Sequence, residues 1–456
     1  MGRHRDDSLH HVQDLRQSAM SSSLFSIIIL AYWDNVMGPM VSKIWKGNDK
    51  VEASDETVNY ISNHTLSGEL CRQTEKQTVD PKLCILPDLG YLFNAFIFTG
   101  NSKMGPTITS LSFVIAHEDL NKFLMLQDHL ERQVKFIVLR YRVFQQKDVG
   151  SAIKCVSPSL KKLIKTIDML AENNIPPEIC VATTIFGEGE NAALLLDSRF
   201  LMRSLTSHLQ TCGCTVVVGQ SADKVNLMIH TLSLFLGKNE CFCSTLASDE
   251  NTHQFYQDLW LQGIIGKAEE NMSSKDVLLN TYPVTLINVD EKLVYQTIYA
   301  SVHAIKRRDN LKTEASLLLH GTELSNIPTR ELFTDDFGDI SLLVQKFITQ
   351  LFSIPNNCSI RRNHIENFKQ TLQRKASTFL SYVENKSNNG RSVLTQPQLQ
   401  LLKQDLGLSC EADFRVVLAT AEKHRPGLSL FLVEAIQRGE DSFQVTQAPV
   451  KGRVFY

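Results

Sequence analysis

The sequence lacks any long apolar run. Its most hydrophobic early stretch, Leu24 to Tyr32, falls far short of the roughly 20 residues that a membrane-spanning helix requires. Basic residues precede that stretch, but Asp6, Asp7 and Asp14 interrupt them. Trp33-Asp34-Asn35 follows where a cleavable leader would place small residues, so no secretory signal is expected. Asp6 stands where an N-myristoylation motif needs Ser or Thr, and Arg453-Val-Phe-Tyr456 is no prenylation box. An excess of one charge is also missing: 47 basic residues meet 49 acidic ones. That balance creates no global field for nucleic acid or an anionic membrane, and no nucleic-acid partner is expected. Catalytic signatures are as scarce. There is no G-x-S-x-G elbow, no H-E-x-x-H pair and no EF-hand loop. The ten cysteines are scattered, which in a chain of this size reads as reduced thiols of the cytosol.

What is present centres on Ser204 to Leu236. Leu205, His208 and Leu209 share one helical face, Cys214 to Val218 is a β-branched run suited to a covered strand, and Gly219 breaks it. Ser221 is placed to cap a following helix, with Asp223 in its first turn. Val225, Met228, Ile229, Leu232 and Leu236 then recur at helical spacing. Three features there invite chemistry. Cys212-Gly-Cys214 and Cys241-Phe-Cys243 offer four thiols, but C-x-C is a weak zinc signature and buried packing explains them better. Gly219-Gln-Ser-Ala-Asp-Lys224 has the strand–turn–helix form of a phosphate cradle without the second Gly or the Lys-Ser/Thr pair. His208 reads as a core histidine rather than a base. No catalytic, cofactor-binding or metal-ligating residue is assigned, and no cofactor is expected.

Around this unit, Leu24–Tyr32 and Met40–Trp45 read as a strand pair, with Gly38-Pro39 between them. Asp55–Leu70 reads as a helix capped by Asp55. Lys82–Leu86, Tyr91–Phe98 and Ser110–Ala116 read as strands, and Asp119–Leu126 and His129–Phe144 as two helices. Leu160–Ala171 reads as a helix ended by Pro176-Pro177, and Gly187-Glu-Gly189 as a linker. Val284–Val289 reads as a second central strand. Beyond Ile340 the chain reads as helices, over 342–351, 365–383, 399–406 and 413–423. Trp33-Asp34-Asn35 reads as a structural turn before a contact surface, and Arg361, Arg362, Lys369, Arg374 and Lys375 as a solvated basic face.

Several segments carry a resemblance: Ala31-Tyr-Trp-Asp-Asn35 with Gly38-Pro39, Asn63-His-Thr-Leu66, His208-Leu-Gln-Thr-Cys-Gly-Cys214, Val216-Val-Val-Gly219, Arg374-Lys-Ala376, Ala421-Glu-Lys423 and Pro426-Gly-Leu428. In this order they resemble the family of the DENN-domain protein of chromosome 9 open reading frame 72. Residues 1–23 are polar and read as a disordered tail. The resemblance implies an α+β and α/β fold: an N-terminal longin (upstream DENN) domain over 24–186, a central α/β DENN domain over 191–330, and an all-helical downstream DENN part over 338–456. It also implies guanine-nucleotide exchange on Rab- or Arf-type small GTPases, or a structural role in a GTPase-activating complex. The implied partners are a second longin–DENN protein (the Smith–Magenis candidate region protein) and a WD40-repeat protein. The implied setting is the cytoplasm, with recruitment through partners to endosomes, lysosomes and autophagosomes. In that family the arginine that stimulates hydrolysis comes from a longin loop of the partner. The corresponding loop here, Gly100 to Pro106, has Lys103 but no arginine, a poor substitute without the planar fork. Arg72 and Arg140 read as surface charges.

Overall fold

Strand pairing follows the alternation of apolar residues near the N-terminus. β1 (Val12–Asp14), β2 (Phe25–Asp34), β3 (Gly38–Lys46), β4 (Val79–Leu86), β5 (Tyr91–Ser102) and β6 (Gly105–Ala116) form one sheet in the order β1-β3-β2-β6-β5-β4. All neighbours are antiparallel except β1 and β3, so Val12–Asp14, within the stretch read as a tail, pairs with Ile44–Lys46. The computed structural model of the protein describes residues 12–14, 23–69, 78–102, 105–146, 148–176, 178–187, 197–248, 254–267, 272–298, 300–320, 329–386 and 395–433. The chain divides into two compact units, Met1–Asn174 with Thr313–Leu324, and Ile175–Lys312 with Ser325–Tyr456. No helix among the described residues is long and apolar enough to cross a membrane.

In the first unit, Ile27, Ile29, Phe93, Ala95 and Val114 line one sheet face beneath α1 (Asp55–Leu66), which contributes Val58, Ile61 and Leu66. Its cap is Ser54, whose hydroxyl accepts from Thr57 N, rather than Asp55, which sits in the first turn. The stretch from Asp119 to Phe144 is one helix, α2 (Leu120–Gln145), because Gln127 and Asp128 hold no breaker between the two apolar stripes. Phe98 meets Tyr141 of α2 edge-on at 5.8 Å.

The next helix, α3 (Val149–Asn173), begins well before the expected Leu160 and runs through Pro158. Pro158 removes one backbone donor. The buried stripe Ala152, Val156, Leu160, Leu163, Ile167 and Leu170 outweighs that loss, and Asp148 caps the start by accepting from Ser151 N at 2.7 Å. Trp45 of β3, fully buried, donates from Nε1 to Ser157 of α3 at 3.0 Å. Arg140 is not a free surface charge. Its guanidinium lies 4.4 Å over Phe136 and reaches buried Glu314 at 2.6 Å.

The second unit is built on a four-stranded sheet. The sequence supplies α4 (Ser198–Gln210), capped by Asp197, then β7 (Thr215–Gly219), α5 (Ala222–Ser233) and a short α6 (Lys238–Phe242). β8 (Leu261–Ile265), α7 (Ser274–Leu279), β9 (Thr285–Asn288), β10 (Leu293–Gln296) and α8 (Ala300–His320) follow. Strand order is β10-β9-β7-β8, with β7 parallel to both neighbours and β10 antiparallel to β9. Both faces are covered. Val216 and Val218 pack with Phe255, Met272 and Val277, while Gly219 and Gly263 lie against Val225 and Ile229 of α5.

The helical end comprises α9 (Leu342–Ser353), α10 (Cys358–Lys386), α11 (Gln396–Asp405) and α12 (Glu411–His424). The mixed sheets and terminal helices match the arrangement expected from the longin and DENN resemblance. The basic face of α10 is mostly consumed internally. Arg361 is buried and donates to Phe186 O, Arg362 donates to Ile179 O, Lys375 donates to Leu406 O, and Lys369 pairs with Glu366.

One buried carboxylate ties α9 to α12. Asp413 Oδ1 accepts from the Ser341 hydroxyl at 2.6 Å and from Leu343 N at 3.0 Å, so it caps a helix from outside that helix. Asp413→Ala orphans both donors, the Ser341 hydroxyl buried and the Leu343 N partly so. It is expected to cost roughly 3 kcal/mol, the scale of bonds to a charged acceptor, in denaturant unfolding. A loss below about 0.5 kcal/mol, the range of neutral surface changes, would deny the cap its role.

Candidate functional site

The strand–turn–helix junction after β7 is closed by the protein itself. Asp290 Oδ2 accepts from Gln220 N at 2.7 Å, and Asp290 Oδ1 lies 3.6 Å from Lys224 Nζ. The position where an anion would meet the helix dipole therefore already holds a carboxylate. Ser221 occupies the cap position, but its side chain makes no capping bond, contrary to the expectation from sequence. The carboxylate of Asp290, seventy residues on, satisfies the junction instead.

The paired cysteines lie in packing. Cys212, Cys214, Cys241 and Cys243 are all buried. Cys212 donates to Ala419 O at 3.4 Å and Cys241 to Ser233 O at 3.6 Å. Burial pushes the Cys212 thiol well above its ordinary range, with neighbouring Cys214 adding to the rise, and pushes Cys241 up to about 11. Neutral buried thiols are poor nucleophiles. Among the described residues no group of His, Cys, Asp and Glu is arranged to hold a metal ion. His208 is fully buried, and its Nδ1 lies 2.9 Å from the Thr215 hydroxyl. Burial, reinforced by Lys423, lowers its pKa to about 3 and keeps the ring neutral.

The β2–β3 connection differs in kind. Asp34 Oδ1 accepts from Val36 N at 2.8 Å and Met37 N at 2.9 Å, an Asx turn that holds the carboxyl below its usual range. Gly38 supplies the left-handed backbone, φ 81°, that completes the reversal. From below, the Thr107 hydroxyl donates to Trp33 O at 2.5 Å, and Trp33 packs on the core under α1. This fixed turn projects two apolar side chains into solvent: Val36 is 83% exposed and Met37 72%. Sequence reasoning treated Trp33-Asp34-Asn35 chiefly as a turn. The turn is there, but the exposed apolar pair beyond it was missed. The signal lay in Val-Met directly after two turn formers, where a polar pair costs less to solvate. Lys103 and Arg72 lie outside the described residues.

Residues 60–303 match the model of the C9orf72-like protein family. The chain belongs to the C9orf72-like family. Across 436 aligned residues it is 31% identical to the guanine nucleotide exchange factor C9orf72 homolog of Mus musculus and 30% identical to the guanine nucleotide exchange factor C9orf72 of Homo sapiens. Each alignment spans 88% of this chain and 90% of the relative. The Rattus norvegicus homolog is 31% identical over the same spans. In this C9orf72-like chain His208, Cys212 and Cys241 are buried and neutral, and Asp290 occupies the terminus of α5.

Proposed function

We propose that the chain is a guanine-nucleotide exchange factor for small GTPases of the Rab or Arf type, acting by surface contact. The carrying observation is its identity to relatives named as exchange factors over nearly their whole length. Exchange requires no nucleophile. A factor speeds nucleotide release by binding the nucleotide-free GTPase more tightly than the loaded one, so a rigid complementary surface suffices. The β2–β3 turn fits that need, with Val36 and Met37 as apolar anchors beside the Asp34 carboxylate.

In this reading the chain works in a complex with a second longin–DENN protein and a WD40-repeat protein. It is cytoplasmic, and its partners bring it to endosomes, lysosomes and autophagosomes to act in autophagy and endolysosomal traffic. Release of a fluorescent guanine nucleotide from a panel of Rab and Arf proteins tests it. The chain is expected to accelerate release from at least one of them. The pair Val36→Asp and Met37→Asp should reduce that acceleration at least about tenfold, the effect of losing roughly 1.4 kcal/mol of contact, with the melting temperature unchanged. If no GTPase releases nucleotide faster, and GTP hydrolysis is stimulated only with the partner present, the chain is instead a structural subunit of a GTPase-activating complex. In that case the partner supplies the arginine.

A further inference from the structure

A cleft of about 330 Å³ opens in the second unit between the end of α4, the turn before α6, the middle of α10 and the end of α12. That volume lies at the lower end of small-molecule sites, roughly 300–1,000 Å³. Its lining includes the Cys212-Gly213 turn, where both residues take left-handed backbone at φ 59° and 91°. A side chain at Gly213 would come within 2.6 Å of Leu236 Cδ2, so glycine keeps this end of the cleft narrow and open. Leu236 and Leu372 supply apolar lining.

The polar atoms around the cleft are unevenly satisfied. His208 lines it, and its neutral ring faces Thr215 through Nδ1. Among the described residues the Thr215 hydroxyl has no other partner; with it donating to Nδ1 the ring proton lies on Nε2, whereas the opposite assignment would leave both the Thr215 O–H and Nε2 unpaired. Among the described residues Nε2 is buried and has no partner. A buried donor without an acceptor is costly, and each such group in a native fold calls for an explanation. Two ammonium groups share the lining. Lys423 Nζ is 2.6 Å from Glu240 and 4.9 Å above the Trp260 ring, and Lys369 Nζ is 3.1 Å from Glu366. An ammonium has three donors, so each lysine keeps donating capacity beyond its single carboxylate. Glu240, by contrast, is occupied on both oxygens, by Lys423 and by Gly237 N. Glu366, also in the lining, has one oxygen on Lys369, so among the described residues the unpartnered buried side-chain atom of the cleft is His208 Nε2.

We propose that this cleft binds a small organic carboxylate, whose acid group accepts from His208 Nε2–H and from the ammonium of Lys423 or Lys369, with its apolar body against Leu236 and Leu372. The site is separate from the exposed turn and does not depend on the exchange-factor reading. No residue of it is asked to make or break a covalent bond.

Isothermal titration of the full-length chain with benzoate, phenylacetate and hexanoate tests it, with benzamide and benzyl alcohol as uncharged controls. At least one carboxylate is expected to bind saturably and at least about tenfold more tightly than its uncharged counterpart, a difference of roughly 1.4 kcal/mol. His208→Phe keeps a planar ring but removes the donor, and should weaken that carboxylate about tenfold or more. If His208→Phe does not fold, Lys369→Met and Leu372→Trp, both in the lining, carry the test. The first should weaken carboxylate binding, and the second should abolish it by filling the space. Failure of all three carboxylates to bind, equal binding of benzamide and benzoate, or full affinity in the Lys369→Met and Leu372→Trp chains would each overturn the proposal.

Discussion

Val217→Asp should unfold the second unit. Val217 is fully buried at the middle of β7, between Gly263 of β8 and Ile287 of β9 in parallel register on either side. The faces of this sheet are covered by α5 and by the Phe255, Met272 and Val277 cluster, so no path to water exists for a carboxylate. Either the acid stays ionised without a partner or it takes up a proton at the cost of a large pKa rise. Both routes are expensive. The expected loss exceeds about 4 kcal/mol, beyond the ordinary range of point mutations. The observable result is an insoluble chain, or one whose second unit shows no cooperative unfolding transition. Val217→Ile, apolar and β-branched, should cost less than about 1.5 kcal/mol and separates the effect of charge from that of shape. A soluble Val217→Asp chain within about 1 kcal/mol of the parent would show that β7 is not the covered strand described here.

That strand was legible because its signal is local. A run of β-branched residues ended by Gly219 admits few readings, and α5 announces itself by apolar spacing. Signals that depend on distant partners were not legible. α8 was not foreseen because it lacks an apolar stripe: its buried positions include His303 and Glu314, and Lys306, Arg307, Arg308 and Asp309 crowd the rest. The α10 arginines looked solvated because their acceptors, the carbonyls of Phe186 and Ile179, lie in a segment read as a transition toward a linker. That segment is part of the core. Ile185 and Phe186 are buried, and Ile185 N donates to the Thr231 hydroxyl at 3.0 Å. The helix expected from Leu160 starts at Val149 instead, since its long buried stripe overrides the one donor lost at Pro158. The candidate sites follow the same division. The Asx turn at Asp34 was visible as turn chemistry, but the occupation of the α5 terminus by Asp290 and the cleft around His208 arise only when remote segments meet.

Acid should destabilise the second unit well before carboxylates protonate. His208 and His303 are both buried and neutral. For His208, burial lowers the pKa to about 3, with Lys423 contributing. For His303, burial lowers it to about 4 despite the opposing hydrogen bond to Asn280 O at 2.9 Å. In the unfolded chain both rings take up a proton near the ordinary value of about 6.5. The folded pKa lies below the unfolded one, so the unfolded state binds more protons as pH falls. Stability is full above about pH 6.5 and is lost as the pH drops through the window toward the folded values. By pH 5 each histidine should remove about 2 kcal/mol, from linkage across roughly 1.5 pH units. The pair together should remove about 4 kcal/mol, a large share of the 5–15 kcal/mol typical of a domain. Denaturant unfolding of the second unit at pH 7.5 and pH 5.0 measures the drop directly. His303→Gln, which keeps a donor for Asn280 O but does not titrate, should cut the drop by about half. Equal unfolding free energies at the two pH values would mean that these rings are reached by water and protonate in the folded chain.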